Sequence, residues 1–242
     1  MSVFNFQQFS VQQQQSAMKV CTDSVLFGAM APVKTGDRVL DIGAGTGLLS
    51  LMAAQLGAAS VTAVELTEEA YRECGINFGV SPWANRLEAV HQDIQSFALQ
   101  ADQPYDLVIS NPPFFENHFR TDDPLRNIAR HTDRLCYADL IKIADRLLSP
   151  QGLLYLLLPV HAVSKLATVA SASGFYLIRQ TDYRGYVHSD AKVAALIFSR
   201  TAAEFVKEKL AVYESAGVYT QVSERYLSSF LLRFSKARKQ GF

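Results

Sequence analysis

Apolar residues along the chain fall into short blocks, and the spacing inside the blocks alternates between two kinds. The runs Arg38–Asp41, Ser60–Val64, Leu87–His91, Leu107–Ile109 and Leu153–Leu158 are short, apolar and partly β-branched, and read as buried strands. Between them, Leu48–Leu56, Glu68–Phe78, Tyr137–Leu148 and Ala162–Ser173 carry apolar positions at helical spacing, with Pro150 and Gly152 closing the third of these. A sixth strand is expected near Phe175–Thr181 and a seventh near Val193–Phe198. Strands alternating with helices predict an α/β fold: a seven-stranded, mostly parallel sheet with helices on both faces and an antiparallel terminal strand.

Four stretches stand outside this alternation. Residues 1–15 carry no charge and combine Phe4, Phe6 and Phe9 with six glutamines, which suits a tail pinned by its phenylalanines or a flap over a ligand. In residues 18–30 either Thr22 or Asp23 can cap a helix whose apolar face includes Val25, Leu26 and Ala29. Glu116–Arg134 is a long loop of mixed charge, and Thr132 and Asp133 can cap the helix after it. From Phe205 to Phe242 seven basic residues face three glutamates; a helix opening at Tyr219 and Thr220 places Tyr226, Phe230, Leu231 and Phe234 on a core-facing stripe. Trp83 reads as a lid or packing residue.

Composition narrows the classes. With 242 residues, 49% of them hydrophobic, the chain can bury a sizeable core, and a single domain spanning 1–242 is expected. The 23 basic and 23 acidic residues cancel, so any affinity for nucleic acid must come from a local patch. Three widely spaced cysteines, Cys21, Cys74 and Cys136, form no metal-ligand pattern, and no metal is expected. No apolar run approaches the ~20 residues that span a bilayer, and the N-terminus shows no basic start followed by an apolar stretch and cleavage site; a cytoplasmic monomer with no membrane partner is expected.

The chemistry sits at strand ends. The first strand ends in Asp41 and is followed by Gly43, Ala44, Gly45, Thr46 and Gly47, after which a helix begins. Glycines let the backbone turn sharply and let a ligand approach closely. The spacing GxGxG departs from the dinucleotide fingerprint GxGxxG, in which a pyrophosphate sits on the helix end, and favours the phosphate-free S-adenosylmethionine (SAM) over a nicotinamide cofactor. Glu65 ends the second strand twenty-two residues after Gly43, where a carboxylate can accept both ribose hydroxyls. The fourth strand stops at Asn111, Pro112, Pro113 and Phe114. The prolines donate no backbone hydrogen bond and hold Asn111 extended. The Asn111 side-chain oxygen and the Pro112 carbonyl then offer two acceptors beside an aromatic face, which suits a planar group bearing an NH2. Asn-Pro-Pro is also an ordinary turn; its place after a buried strand, with the glycine loop upstream, favours the chemical reading.

The tetrad NPPF resembles the catalytic motif of SAM-dependent amino-methyltransferases. Taken with MKVCTDS, DIGAGTG, Glu65, the SPW turn, QDI and RHT, nearly the whole chain resembles the bacterial tRNA (adenine-N6) methyltransferase family that modifies the adenosine next to the anticodon of valine tRNA. The resemblance implies a Rossmann-like class I fold and in-line methyl transfer to an exocyclic amine. Asn111 and Pro112 would orient that amine, Phe114 would stack on the base, and Asn111 would also border the cofactor. It further implies cofactor contacts from Lys19, Thr22 and Asp23, and from Asp93 and Ile94 at the end of the third strand. Phe115, Arg130 and His131 become candidates for contact with RNA, as do Arg225, Lys236, Arg238 and Lys239, which could neutralise phosphates. The residues after the tetrad, Phe115, Glu116 and Asn117, fall where the family varies. Related motifs act on a glutamine amide of proteins or the guanine amine of ribosomal RNA, usually with an additional N-terminal domain, and a non-catalytic SAM-binding RNA module is a further alternative.

Overall fold

The computed structural model describes residues 2–14, 19–112 and 135–235. Its centre is a mixed sheet built from β3 (Arg38–Ile42), β4 (Ser60–Glu65), β5 (Leu87–His91), β6 (Tyr105–Ser110), β7 (Leu148–Pro159), β8 (Tyr176–Tyr186), β9 (Ala191–Ser199), β10 (Val206–Ser215) and β11 (Val218–Tyr219). The spatial order is β11-β10-β8-β9-β7-β6-β3-β4-β5. β9 runs antiparallel between β7 and β8, whereas β7, β6, β3, β4 and β5 pair in parallel. The seven expected strands are present, with the expected antiparallel one.

From β3 the chain winds outward through β4 and β5, then returns to lay β6 on the other side of β3. The crevice at such a reversal, outside the carboxyl ends of the strands, is where open α/β sheets bind ligands. Helices α1 (Thr22–Ala29), α2 (Leu48–Leu56), α3 (Glu68–Gly79), α4 (Ile94–Gln100), α5 (Tyr137–Leu147), α6 (Val163–Ala172) and α7 (Gln221–Leu227) cover the sheet. Alternate strand residues feed two cores. Val39, Leu107, Ile109, Tyr155 and Leu157 pack in one with α1 and α2; Leu40, Val108, Leu154, Leu156 and Leu158 pack in the other with α5 and α6.

Several local expectations are corrected. The N-cap of α1 is Cys21, not Thr22 or Asp23: the Ser24 hydroxyl donates to the Cys21 carbonyl at 2.8 Å, and the Cys21 amide donates back to the Ser24 hydroxyl at 3.2 Å. α5 starts under the Cys136 cap and stops at Leu147. The residues Ser149–Gly152, expected to close it as a turn, continue into β7, which pairs Leu148 with Tyr105 and resumes beyond a register shift with Leu153 opposite Leu107. The tail segment supplies two strands that the sequence reading missed. β10 pairs in parallel with β8, and its exposed Lys207, Glu208 and Lys209 conceal an otherwise strand-like run. Charged side chains on outer strands are a common protection against further pairing. α7 is shorter than expected, but Thr220 caps it, accepting from the Ser223 amide at 3.1 Å. Phe230 is buried, with Tyr226, Leu231 and Phe234 packed against the same core.

Residues 2–14 form a hairpin of β1 (Val3–Asn5) and β2 (Ser10–Gln12). Phe6 and Phe9 are buried and stacked with ring centroids 4.4 Å apart, and Phe9 meets Trp83 edge-on at 5.8 Å, so Trp83 is a packing residue. The Gln7 amide donates to the Phe230 carbonyl at 2.8 Å, tying the hairpin to the C-terminal segment. Asn77 ties it to the glycine loop: fully buried, it accepts from the Gln12 amide at 2.8 Å and donates to the carbonyls of Gln12 at 3.0 Å and Thr46 at 2.9 Å. Leaving those groups buried and unpaired costs several times a single net hydrogen bond, so Asn77→Ala should lower unfolding free energy by about 2–4 kcal/mol in urea titrations. A loss below about 0.5 kcal/mol would show that water replaces the side chain.

Candidate functional site

The glycine loop follows β3 at the sheet's carboxyl edge. Gly43, Gly45 and Gly47 have φ of +70°, +56° and +79°, a region that residues with a Cβ rarely occupy. The amides of Gly43 and Ala44 donate to the Val64 carbonyl at 2.9 and 3.3 Å, anchoring the loop to β4. The two outer glycines serve different ends. A Cβ on Gly43 would point into open space, leaving room for a ligand against the backbone. A Cβ on Gly47 would lie 2.5 Å from the Phe78 ring and 2.8 Å from the Cys74 sulfur, so this glycine lets α2 approach α3.

Glu65, at the end of β4, reaches the loop. Its Oε2 accepts from the Gly45 amide at 2.9 Å, and its Oε1 accepts from the Thr67 amide and hydroxyl, each at 2.9 Å. These bonds fix the carboxylate beside the loop and use three of its roughly four lone-pair sites; one is left on Oε2, and a second opens on Oε1 when the Thr67 hydroxyl turns away.

Asp41 lies beneath the loop and is wholly buried. Its Oδ2 accepts from the Ser50 hydroxyl at 2.7 Å, and its Oδ1 has no partner among the described residues. Burial pushes its carboxyl up to about 7 and the Glu65 charge adds to the rise, while the Ser50 hydrogen bond opposes it. The sign follows directly. Between the unperturbed value of 3.8 and about 7 the folded chain holds a proton that the unfolded chain has released, so stability falls as pH rises through that window and levels off above it. Asp41→Asn keeps an acceptor for Ser50 and removes this titration. Its ligand-free Tm should match wild type at pH 4 and exceed it by several degrees at pH 8; an equal difference at both pH values would refute the assignment.

Other expected cofactor residues take positions with local roles. Asp93 caps α4, its Oδ1 accepting from the Ser96 amide at 3.0 Å, and Ile94 opens that helix and is buried. Lys19 donates to the Gln13 and Gln14 carbonyls and so holds the hairpin's exit. Thr22 and Asp23 occupy the first turn of α1 with capping already supplied by Cys21. Partial burial raises the Asp23 carboxyl, and Lys192 opposes the shift.

β6 delivers Asn111 and Pro112 to the same edge. β6 pairs with β3 in parallel, Ile109 opposite Asp41, so the chain beyond Ser110 emerges beside the glycine loop. The buried Ser110 hydroxyl donates to the Ile42 carbonyl at 2.7 Å, locking the two strand ends together. Pro112 is buried; Asn111 is half-buried, and its amide has no hydrogen-bond partner among the described residues. Pro113, Phe114, Phe115, Arg130 and His131 lie outside the described residues, as do Thr132, Asp133 and the tail residues Lys236, Arg238 and Lys239. Arg225 is exposed on α7.

Ser50, Ser110 and Asn77 position the site and were missed by the sequence reading. Asn77 left a signal: with Glu73 it interrupts the apolar face formed by Ala70, Cys74 and Phe78 on α3, and polar residues on such a face need partners.

The site has a cofactor's requirements built into it: an open backbone at Gly43, a carboxylate fixed at Glu65, and an orphaned buried acceptor at Asp41. A loop of this kind beside an Asn-Pro pair, at the switch point of a mixed seven-strand core, defines a class I methyltransferase. A methyltransferase from Pyrococcus furiosus shares the fold, with a TM-score of 0.60 at 17% identity over 80% of this chain and 90% of that one. The family model of the methyltransferase small domain matches residues 15–178. Among curated proteins, the tRNA1(Val) (adenine(37)-N6)-methyltransferase of Flavobacterium psychrophilum is 38% identical over 96% of this chain and 100% of its own length. The protein of the same name from Tolumonas auensis is 40% identical over 96% of this chain and 98% of its own. The chain belongs to the tRNA1(Val) (adenine(37)-N6)-methyltransferase family, within the methyltransferase small-domain proteins.

Proposed function

We infer that this protein methylates the N6 exocyclic amine of an adenosine in tRNA, the target being the adenosine next to the anticodon of a valine tRNA, with SAM as methyl donor. The observation that carries the reading is the parallel β3/β6 pairing, which sets Asn111 and Pro112 beside the glycine loop. The names of relatives aligned over nearly the whole chain supply the substrate class.

SAM supplies a methyl group on a sulfonium, whose departure is neutral. Glu65 would accept from the ribose hydroxyls, Gly43 would give the backbone clearance, and Asp41 Oδ1 would offer a buried acceptor on the β3 side. The Asn111 oxygen and the Pro112 carbonyl accept the two hydrogens of the adenine amine. Adenine's amine lone pair is delocalised into the ring; gripping both hydrogens would favour a pyramidal nitrogen and free its lone pair for attack. As the nitrogen becomes cationic, both acceptors stabilise the developing charge, so they act more strongly in the transition state than on bound substrate. The proton then passes to water. A base in a structured anticodon loop reaches such a pocket by being splayed out of its stack. No helix among the described residues is long and apolar enough to cross a membrane.

The test is transfer of labelled methyl from SAM to total tRNA from a strain lacking this gene, followed by nucleoside analysis. N6-methyladenosine in a valine tRNA is the expected product. Label confined to protein glutamine or to ribosomal guanosine would overturn the substrate and leave the cofactor reading standing.

A further inference from the structure

The carboxyl edge of the sheet continues well beyond the switch point. β7 and β8 both run antiparallel to β9, and β10 runs parallel to β8, so the ends of β6, β7, β8 and β10 share one edge. With strands about 4.8 Å apart, the end of β8 lies roughly 14 Å from that of β6, and β11 roughly 24 Å. Next to β6, a cleft of about 550 Å³ opens between the end of β7 and the start of β9, lined by Pro159, His161 and Lys192 among others.

Beyond the cleft stands a file of aromatic rings. Tyr186 stacks on His188, with centroids 5.6 Å apart and planes 15° from parallel. Tyr186 next meets Tyr213 at 5.8 Å, Tyr213 meets Tyr219 at 4.7 Å, and Tyr219 meets Phe234 at 5.4 Å. The Arg233 guanidinium lies 4.5 Å from the Tyr219 ring centre and 5.4 Å from that of Phe234. The inner rings pack partly against the core, but Tyr186 and Val187 are 37% and 57% exposed, at a turn where polar residues would serve the fold as well. The cleft side carries Lys192 and the far end Arg233, while the acidic Asp190 and Glu214 flank the file. Mixed charge beside exposed rings favours stacking over phosphate neutralisation.

We propose that this edge is a stacking track for single-stranded RNA, running from the Asn111 pocket across the Lys192 cleft onto Tyr186 and its neighbours, and that it holds the unpaired nucleotides flanking the target base. Every base has a π-face, so rings bind strands with little sequence preference, and arginine adds a cation–π contribution. The proposal rests on the RNA reading above and gives it a surface outside the basic tail. Lys192 meets the backbone where the strand leaves the pocket.

The experiment measures tRNA binding by fluorescence anisotropy, and kcat and KM for unmodified tRNA and for a trinucleotide centred on the target adenosine. Wild type, Tyr186→Ala and Tyr186→Phe are compared. Tyr186→Ala should weaken tRNA binding and raise the tRNA KM by about tenfold, with kcat, SAM affinity, Tm and the salt slope of binding unchanged. Tyr186→Phe keeps the ring and should behave as wild type. The trinucleotide, too short to reach Tyr186, should be used equally by all three. Unchanged tRNA affinity in Tyr186→Ala overturns the track, as does an equal loss on the trinucleotide. Wild type that binds tRNA through Tyr186 without methylating it would overturn the functional reading alone, and wild type that binds no tRNA would overturn both.

Discussion

Asn111→Ala should lower kcat for tRNA by about 10²–10³-fold while leaving the SAM dissociation constant within about twofold of wild type. The side chain stands at the end of β6 with no partner among the described residues, so its removal leaves none of the described groups newly unpaired. The Ser110 hydroxyl on the Ile42 carbonyl, at 2.7 Å, holds the strand end independently of Asn111, and Pro112 stays buried. The variant therefore loses one acceptor without loosening its support. That acceptor gains strength as charge develops on the amine, so the loss falls on kcat more than on KM. Asn111→Asp tests the geometry: it keeps an oxygen but adds charge, and partial recovery at low pH would indicate that acceptance, not the amide group itself, is what the reaction needs. Full turnover in Asn111→Ala would remove this residue from the chemistry.

Much of this was legible in the chain because the informative features were local. A continuous apolar run such as Leu107–Ile109 can hardly be anything but a buried strand once two prolines end it. GxGxG after Val39–Ile42 required a turn with positive φ, which Gly43, Gly45 and Gly47 adopt. Glu65 at the loop followed from its distance along the chain. What stayed hidden depends on partners remote in sequence. The capping preferences that pointed to Thr22 were overridden because the Ser24 hydroxyl bonds the backbone amide and carbonyl of Cys21, an arrangement that does not depend on which side chain stands at the cap. β10 reads as a charged amphipathic run until β8 is known to lie beside it. Ser50 and Ser110 are unremarkable serines whose roles exist only because β3 lies against α2 and β6. Gly47, read as a ligand glycine, is also required by helix packing, a second demand that only the nearness of Phe78 reveals.

Glu65→Ala should raise the SAM dissociation constant about 100-fold or more. Once the Thr67 hydroxyl turns away, the carboxylate can accept two hydroxyls in two charge-assisted hydrogen bonds, each worth about 1.5–3 kcal/mol, and their sum corresponds to a factor of about 100 or more. In the ligand-free chain this carboxylate already accepts from the Gly45 amide and from Thr67, so the variant also loses part of the loop's support. The two losses can be separated by the ligand. An analogue of S-adenosylhomocysteine lacking both ribose hydroxyls should bind wild type far more weakly than the parent compound. Glu65→Ala should bind the two almost equally, because the partner of the hydroxyls is gone. If the variant still discriminated between them as strongly as wild type, the hydroxyls would be held elsewhere and Glu65 would serve only to fix the loop. Glu65→Gln is the intermediate case: its single carbonyl oxygen can serve either the Gly45 amide or a hydroxyl, while its NH2 faces donors on both sides, so its affinity should lie nearer to that of Glu65→Ala than to wild type.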